Sequence, residues 1–165
     1  MYRKMKKSID WSVYRNFAPW EFTCRCCSTL NVDPNLVEAL QVLRDRVNRP
    51  VKITSGCRCI SHNSLVGGSS LSRHRASPTK LVCTAADFFI PNMGVLNMYK
   101  FSTGIEAFAS SGIGVYPNHG IIHVDVGRSS STRWGKLDGN FVELQTAIQY
   151  LIDRGRRGVP PPPGG

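Results

Sequence analysis

The segment from residue 54 to residue 87 concentrates the chemically distinctive side chains of this chain. Its sequence is TSGCRCISHNSLVGGSSLSRHRASPTKLVCTAAD. It holds an arginine between two cysteines, a Ser-Arg-His triplet, and an aspartate, Asp87, between two alanines and two phenylalanines. A carboxylate in so apolar a run is costly to bury without a cationic partner. We therefore expect the rest of the chain to be organised around this segment and to hold its side chains in place.

A second distinctive segment is GIIHVDVG, residues 120–127. Its apolar residues alternate as in a β-strand, which puts His123 and Asp125 on one face and the buried aliphatic residues on the other. Both side chains are therefore predicted to point toward a cleft. The histidines of the chain stand at positions 62, 74, 119 and 123. Spacing alone does not choose metal ligands among them, because it matches no general zinc motif.

Hydrophobic periodicity and capping residues predict the secondary structure. Asp33 and Pro34 provide an acidic N-cap and a proline at the first helical position, so a helix is predicted to begin there. The predicted helices span residues 34–47, 62–66, 95–110 and 141–152. The predicted strands span residues 51–54, 85–90, 112–116 and 121–126, the last two forming an antiparallel hairpin.

This order of elements indicates an α+β domain, with a small antiparallel sheet and helices on one face. The 165 residues suit a single domain with a sizeable core. We predict a basic N-terminal arm over residues 1–16 and a folded domain over residues 17–153, with a turn at 19–22 carrying aromatic anchors. The remaining residues, 154–165, are rich in Arg, Pro and Gly and are predicted to be disordered.

The net charge of +10, from 21 Lys and Arg against 11 Asp and Glu, favours an anionic partner. Nucleic acid, a membrane surface and the bacterial cell wall all meet that condition. Aromatic residues are not interleaved with the basic ones as in base-stacking surfaces, so no nucleic acid is expected. No apolar run approaches the length of a membrane span, and no apolar segment follows the basic N-terminus as in a secretory signal.

Six cysteines stand at positions 24, 26, 27, 57, 59 and 83. Their spacing is not that of a standard zinc finger. One interpretation is a set of small, mostly buried thiols, which we favour slightly. The other joins residues 24–27 to residues 57–59 through a disulfide or a second metal, and so attaches the N-terminal part of the chain to the site.

Five motifs follow one another along the chain, namely SGCRC, HNSLVGG, SRH, AAD and HVDVG. In this order, and with EFTCRCC and GIGVYP beside them, they resemble the zinc D-Ala-D-Ala carboxypeptidase family. The subgroup found in bacteriophages and bacterial cell-wall enzymes is the most similar. The resemblance covers about residues 17–135. It implies the fold shared with the hedgehog signalling domain, and zinc held by His, Asp and His for the cleavage of peptidoglycan peptides.

Carried over residue by residue, the resemblance assigns His74, Asp87 and His123 as zinc ligands. It also assigns Arg58 and Ser72 to the place where relatives bind the carboxylate or carbonyl of the substrate. The chemistry agrees, because a planar guanidinium binds a carboxylate through two parallel hydrogen bonds.

The chain departs from the family pattern at two places. Residues 77–82, SPTKLV, are interpreted as a six-residue insertion between the first two ligands. Many relatives carry a Glu or Asp a few residues before the second histidine, where this chain has YPNHG. Our first candidate for the general base is therefore Asp125. The second is His119, either as base or as stabiliser of the oxyanion.

The resulting expectation is a monomeric zinc peptidase, either a carboxypeptidase or an endopeptidase, that acts on peptidoglycan stem peptides. The absence of a secretory signal favours a phage lysin held in the host cytoplasm before lysis, or a virion-associated enzyme. The alternative is a non-catalytic, zinc-containing module of the same fold that binds peptidoglycan or a protein. A DNA-binding protein is the third choice, since it explains the charge but not the motifs.

Overall fold

The structure is a computed structural model that describes residues 9–160 and Pro162. The basic cluster at residues 3–7 and the last residues of the predicted tail lie outside this range. The α-helices are α1 (Pro19–Phe22), α2 (Pro34–Val47), α3 (Ile60–Leu65), α4 (Val95–Thr103), α5 (Glu106–Ala109) and α6 (Leu144–Arg156). The strands are β1 (Lys52–Ser55), β2 (Ala85–Phe89), β3 (Gly112–Tyr116), β4 (Ile121–Asp125), β5 (Thr132–Leu137) and β6 (Asn140–Val142).

The six strands form one sheet in the order β1-β2-β4-β3-β5-β6. All neighbouring pairs are antiparallel except β3 and β5, which run parallel from the pair Gly112 and Thr132 onward. The predicted α+β class is confirmed, although the sheet is mixed and larger than expected. Strand β4 finishes at the end of the sheet at which β3 begins. A short connection starts β5 at that same end, so β5 has to run in the direction of β3.

The two faces of the central strands differ in chemistry. On one face Phe88, Ile113, Val115, Ile122 and Val124 are completely buried in the core. The other face carries the polar residues of β2 and β4. The predicted alternation of β4 is therefore confirmed, and it divides the sheet into a core face and a functional face.

Helix α2 begins as predicted. The carboxylate of Asp33 accepts a hydrogen bond from the backbone N–H of Asn35. Leu36, Leu40 and Leu43 then lie on the buried face of the helix at helical spacing. Burial of this stripe joins α2 to the core that covers one face of the sheet.

Several boundaries of the elements differ from the predictions. Helix α3 begins two residues earlier than predicted. Residues 19–22 form helix α1 rather than a turn. The helix predicted over residues 95–110 is two helices, because the chain leaves the helical conformation between Thr103 and Glu106. Helix α6 begins three residues later than predicted and continues to Arg156, into the segment predicted as a disordered tail.

Strands β5 and β6 were missed by the sequence analysis. They form one edge of the sheet, where only Gly135 of β5 is buried and two of the three residues of β6 are exposed. Their side chains do not alternate between buried and exposed positions, so the hydrophobic pattern does not reveal these strands. Phe141, predicted to belong to a helix, lies in β6 with its ring exposed.

None of the helices that the structure describes combines the length and the hydrophobicity required to cross a lipid bilayer.

We predict that Leu40→Ala lowers the free energy of unfolding by about 2–5 kcal/mol, because it opens a cavity in the core. Leu40 is 0% exposed. The control Val42→Ala lies on the same helix at 43% exposure and is expected to change stability by less than about 0.5 kcal/mol. Urea denaturation measures both. Equal losses in the two variants would contradict the assignment of the buried face.

Candidate metal centre

The three proposed metal ligands are brought together by two strands and one loop. Asp87 lies in β2 and is the direct register partner of His123 in β4. Residues at such paired positions project side by side from one face of an antiparallel sheet. His74 reaches the same face from the loop between α3 and β2. The antiparallel register alone therefore brings two of the three side chains together.

The ligand atoms of these residues form a compact triangle. Oδ1 of Asp87 lies 2.9 Å from Nδ1 of His123 and 3.3 Å from Nε2 of His74. The two histidine nitrogens are 3.2 Å apart. Donor atoms at about 2.0 Å from a tetrahedral zinc ion are about 3.3 Å from one another. All three residues are nearly inaccessible to solvent, at 3–6% exposure. The donor set and its spacing therefore fit zinc.

The other polar atoms of the three side chains already have partners. Nδ1 of His74 donates to the carbonyl oxygen of Gly56 at 2.8 Å. Nε2 of His123 faces Oδ2 of Asp125 at 3.3 Å. Oδ2 of Asp87 accepts a hydrogen bond from Arg58 at 3.0 Å. Such outer partners fix the orientation of each ligand and leave the inner atoms available to a metal.

Burial and charge set the protonation of the site. Burial would raise the pKa of Asp87, but His74 and His123 outweigh it and lower that pKa below its usual value. Burial lowers the pKa of His74, which favours the neutral ring that a metal requires. Burial also acts to lower the pKa of His123, but hydrogen bonds to Asp125 and Asp87 reverse this and raise it. Asp87 is therefore ionised over the physiological range.

The segment interpreted as an insertion, residues 77–82, loops away from the site. The backbone N–H of Thr84 donates to the carbonyl oxygen of Arg73 at 2.9 Å, so the chain returns beside the point at which it left. Within the loop, the side-chain amide of Asn31 donates to the carbonyl oxygens of Ser77 and Leu81. His74 and Asp87 consequently meet despite their separation in sequence.

Asp125 is the best-partnered carboxylate of the site. It is 0% exposed and accepts hydrogen bonds from the hydroxyl of Ser111 at 2.7 Å and from Arg128 at 2.6–2.9 Å. Burial would raise the pKa of Asp125, but His123, Arg128 and Ser111 lower it. The carboxylate thus holds the outer nitrogen of His123, on the side away from the ligand triangle.

The remaining predicted site residues line the same cleft. Arg58 donates through Nε to the hydroxyl of Ser55 and through a terminal nitrogen to Asp87. The hydroxyl oxygen of Ser72 accepts a hydrogen bond from the backbone N–H of His74 at 3.3 Å. His119 is exposed in the turn between β3 and β4.

The cleft has a volume of about 600 Å³ and a basic, partly apolar wall. Arg73, Arg128 and Lys136 supply positive charge, and the exposed side chains of Leu71 and Phe141 supply apolar surface. Among the cleft-lining residues that the structure describes, Asp87 is the only carboxylate. The cleft is therefore suited to a ligand that carries negative charge.

Two aromatic residues of the site were missed by the sequence analysis. The ring of Trp134, in β5, lies 5.1 Å from that of His123, and the ring of Tyr116 stacks on His123 at 6.2 Å. Tyr116 could have been identified from the sequence, because it ends a predicted strand and precedes the turn that contains His119. No comparable signal existed for Trp134, because β5 was not predicted.

In a comparison with protein-family models, residues 15–125 match the model of peptidase M15. The chain belongs to the peptidase M15 family. The predicted relationship to the zinc D-Ala-D-Ala carboxypeptidases is thereby confirmed. No curated protein matches the sequence significantly. Membership indicates a metallopeptidase, and the His74, Asp87 and His123 cluster is the possible metal site of this member.

We predict that Asp125→Asn weakens zinc binding by roughly 10–100-fold, because the outer partner of a ligating histidine controls its orientation and basicity. Competition with a chromophoric chelator measures the affinity. The control Asp138→Asn removes an exposed carboxylate outside the site and is expected to leave the affinity unchanged. Unaltered zinc affinity in Asp125→Asn would show that Asp125 does not support His123.

Proposed function

We propose that the chain is a zinc peptidase that hydrolyses peptide bonds in the stem peptides or cross-links of bacterial peptidoglycan. The observation that carries the proposal is the triangle of ligand atoms from His74, Asp87 and His123 beside a basic cleft. When bound, zinc supplies a Lewis acid that polarises a carbonyl and renders water reactive at neutral pH. The chain itself has to bind the peptide, orient it and move protons.

Arg58 is proposed to orient the substrate. A guanidinium has five N–H donors, and the contacts to Ser55 and Asp87 leave others for a peptide carboxylate or carbonyl. Its side chain is 16% exposed, so a bond formed there is largely shielded from water. Ser72 lies beside it in the cleft wall and is proposed to contact the same part of the peptide.

His119 is proposed to accept the proton of the attacking water or to stabilise the oxyanion. It lines the cleft and is exposed in the turn between β3 and β4, so its ring is accessible to a bound peptide. The contacts of Asp125 with Ser111, Arg128 and His123 favour a different role for that residue. We therefore place His119 before Asp125 as the group that handles protons, and we assign Asp125 to the positioning of His123.

Stem peptides suit the cleft because they carry free carboxylates. The ammonium group of Lys136 lies 5.7 Å from the ring of Tyr116 and 5.4 Å from that of Phe141, at the edge of the cleft. No carboxylate lies against it among the residues described. Lys136 is therefore placed to bind a carboxylate of the substrate, and the net charge of +10 favours approach to an anionic cell wall.

The proposal extends to a monomeric, lysin-like enzyme from a bacteriophage, present in the host cytoplasm before lysis or carried by the virion. Small size, positive charge and the motifs of the phage subgroup support it. A non-catalytic module that binds peptidoglycan or a protein is the second candidate. The observation that favours this alternative is the lack of a second carboxylate among the described cleft-lining residues, since such a group serves as general base in many relatives.

We predict that His74→Ala and Asp87→Ala abolish both zinc binding at this site and the release of new amino groups from purified peptidoglycan. Each substitution removes one of the three proposed ligands. A chelator is expected to abolish the activity of the unmodified protein, and added zinc to restore it. Peptidoglycan that is bound but never cleaved by the zinc-loaded protein would instead support the binding module.

We predict that Arg58→Lys raises KM for a stem peptide by roughly tenfold or more, because lysine cannot reproduce the forked contact of a guanidinium. The control Arg15→Lys changes an exposed side chain far from the cleft and is expected to leave KM unaltered. Zinc content is measured in parallel, since Arg58 also contacts Asp87. A normal KM at full zinc occupancy would exclude Arg58 as a substrate-binding residue.

A further inference from the structure

A second group of potential metal ligands lies outside the cleft. The sulfur atoms of Cys24, Cys26, Cys27 and Cys59 all lie within 4.8 Å of one another. The sulfur of Cys26 is 3.6 Å from that of Cys24 and 3.3 Å from that of Cys59. Three of the four come from one short loop after α1, and the fourth precedes α3. We name this group the thiol cluster.

The backbone of the loop after α1 is shaped to present its three thiols together. The N–H of Cys24 donates to the carbonyl oxygen of Thr29 at 2.9 Å, and the N–H of Ser28 donates to the carbonyl oxygen of Cys24 at 2.8 Å. Ser28 adopts a left-handed conformation with φ of 56°, which closes the turn. The bends place Cys26 and Cys27 on the side that faces Cys59.

Backbone N–H groups also point at two of the sulfur atoms. The N–H of Cys59 donates to the sulfur of Cys24 at 3.3 Å. The N–H of His62 donates to the sulfur of Cys59 at 3.4 Å, at the start of α3. Hydrogen bonds of this kind stabilise negative charge on sulfur, which is the form that binds metals.

The exposure of the cluster is unusual for thiols without a ligand. Free cysteine is among the most buried residue types, as Cys57 and Cys83 are here. Cys26 and Cys27 are instead exposed, and Cys24 beneath them is buried. Packing in the core therefore accounts for Cys57 and Cys83 but not for the exposed pair.

We propose that Cys24, Cys26, Cys27 and Cys59 bind a structural zinc ion, separate from the metal centre of the cleft. Four thiolates at about 2.3 Å from a tetrahedral ion are about 3.8 Å apart. The sulfur atoms of Cys24 and Cys26 are 3.6 Å apart, and all four lie within 4.8 Å of one another. Such a ligand set selects zinc or an iron–sulfur centre, and closed four-cysteine sites are typical of structural zinc. Binding exchanges the thiol protons for the ion and releases them to the solvent.

A disulfide would use the cluster less completely. It would join one pair, such as Cys26 and Cys59, and would leave the other two thiols beside it without a role. A tetrahedral metal ion would use all four sulfur atoms, which lie within 4.8 Å of one another.

The position of the thiol cluster connects it to the cleft. Cys59 directly follows Arg58, and the N–H of Cys57 donates to the carbonyl oxygen of Phe22 at 2.9 Å. The side chain of Arg25, from the cysteine loop, donates to the carbonyl oxygen of Thr54. A metal bound by Cys59 would therefore fix the backbone next to Arg58 and keep its guanidinium in the wall of the cleft.

The test is metal analysis of the full chain, purified under reducing conditions and supplied with zinc. We expect two zinc ions per chain. The double variant Cys26→Ser, Cys27→Ser is expected to retain one, and the double variant His74→Ala, Asp87→Ala is expected to retain the other. The control Cys83→Ala removes a thiol outside the cluster and is expected to keep both.

Cobalt substitution identifies the ligands directly. A cobalt-loaded His74→Ala, Asp87→Ala protein is expected to show thiolate-to-cobalt charge-transfer absorption in the near ultraviolet, and the Cys26→Ser, Cys27→Ser protein is expected to lack it. This readout does not depend on peptidase activity. Failure of the proposed function would leave the cobalt signal intact, whereas failure of the zinc proposal would leave the activity intact.

Three results would overturn the proposal. One is a zinc content that the Cys26→Ser, Cys27→Ser variant leaves unchanged. Another is iron in place of zinc at the cluster. The third is a disulfide between Cys26 and Cys59, identified by mass spectrometry in protein that has no second zinc ion.

Discussion

A buried negative charge governs the arrangement of this molecule. Asp87 lies in strand β2. Its buried carboxylate is stabilised there by Arg58, His74 and His123, which surround it. Each partner comes from a different part of the chain, so the loop after β1, the loop before β2 and strand β4 must all be placed correctly for the site to form. Removal of one partner of a buried charge is far more costly than loss of a surface contact. The same electrostatic requirement therefore fixes the local fold and brings the proposed metal ligands together.

The two faces of the sheet have different roles, since one belongs to the hydrophobic core and the other carries the proposed site. One face is filled by aliphatic and aromatic side chains, and the opposite face carries the polar cluster. Glycines on β3 make this possible. A β-carbon at Gly112 would lie 2.3 Å from a carboxylate oxygen of Asp125, and one at Gly114 would lie 2.6 Å from the ring of Trp134. Side chains at these two positions would displace groups that support His123. Strand β3 therefore carries glycines on the face that bears the site, which leaves room for the side chains of Asp125 and Trp134.

Much of the centre was predictable from sequence because its parts follow strong local rules. The alternation around His123 gave the correct face, and Asp33 with Pro34 gave the correct start of α2. The membership of the family was also recognisable from ordered motifs. Strand β5 was not predictable, since pairing with β3 and β6 rather than a hydrophobic pattern holds it in place. Trp134 and Lys136, which line the cleft, were missed with it. The partners of Asp125 were also missed. Ser111 reaches it only through a tertiary contact, and no motif singled out Arg128, which lies three residues after it.

The closed loop at residues 77–82 has a wider consequence. Its ends are joined by the hydrogen bond between Thr84 and Arg73, so the distance in space between His74 and Asp87 is independent of the number of residues that separate them. Loop closure becomes only slowly more unfavourable with length, which makes such lengthening inexpensive for the fold. Searches that demand a fixed interval between the two ligands would overlook chains of this kind. A search built on the paired strands, with a variable interval before the first of them, would recover them.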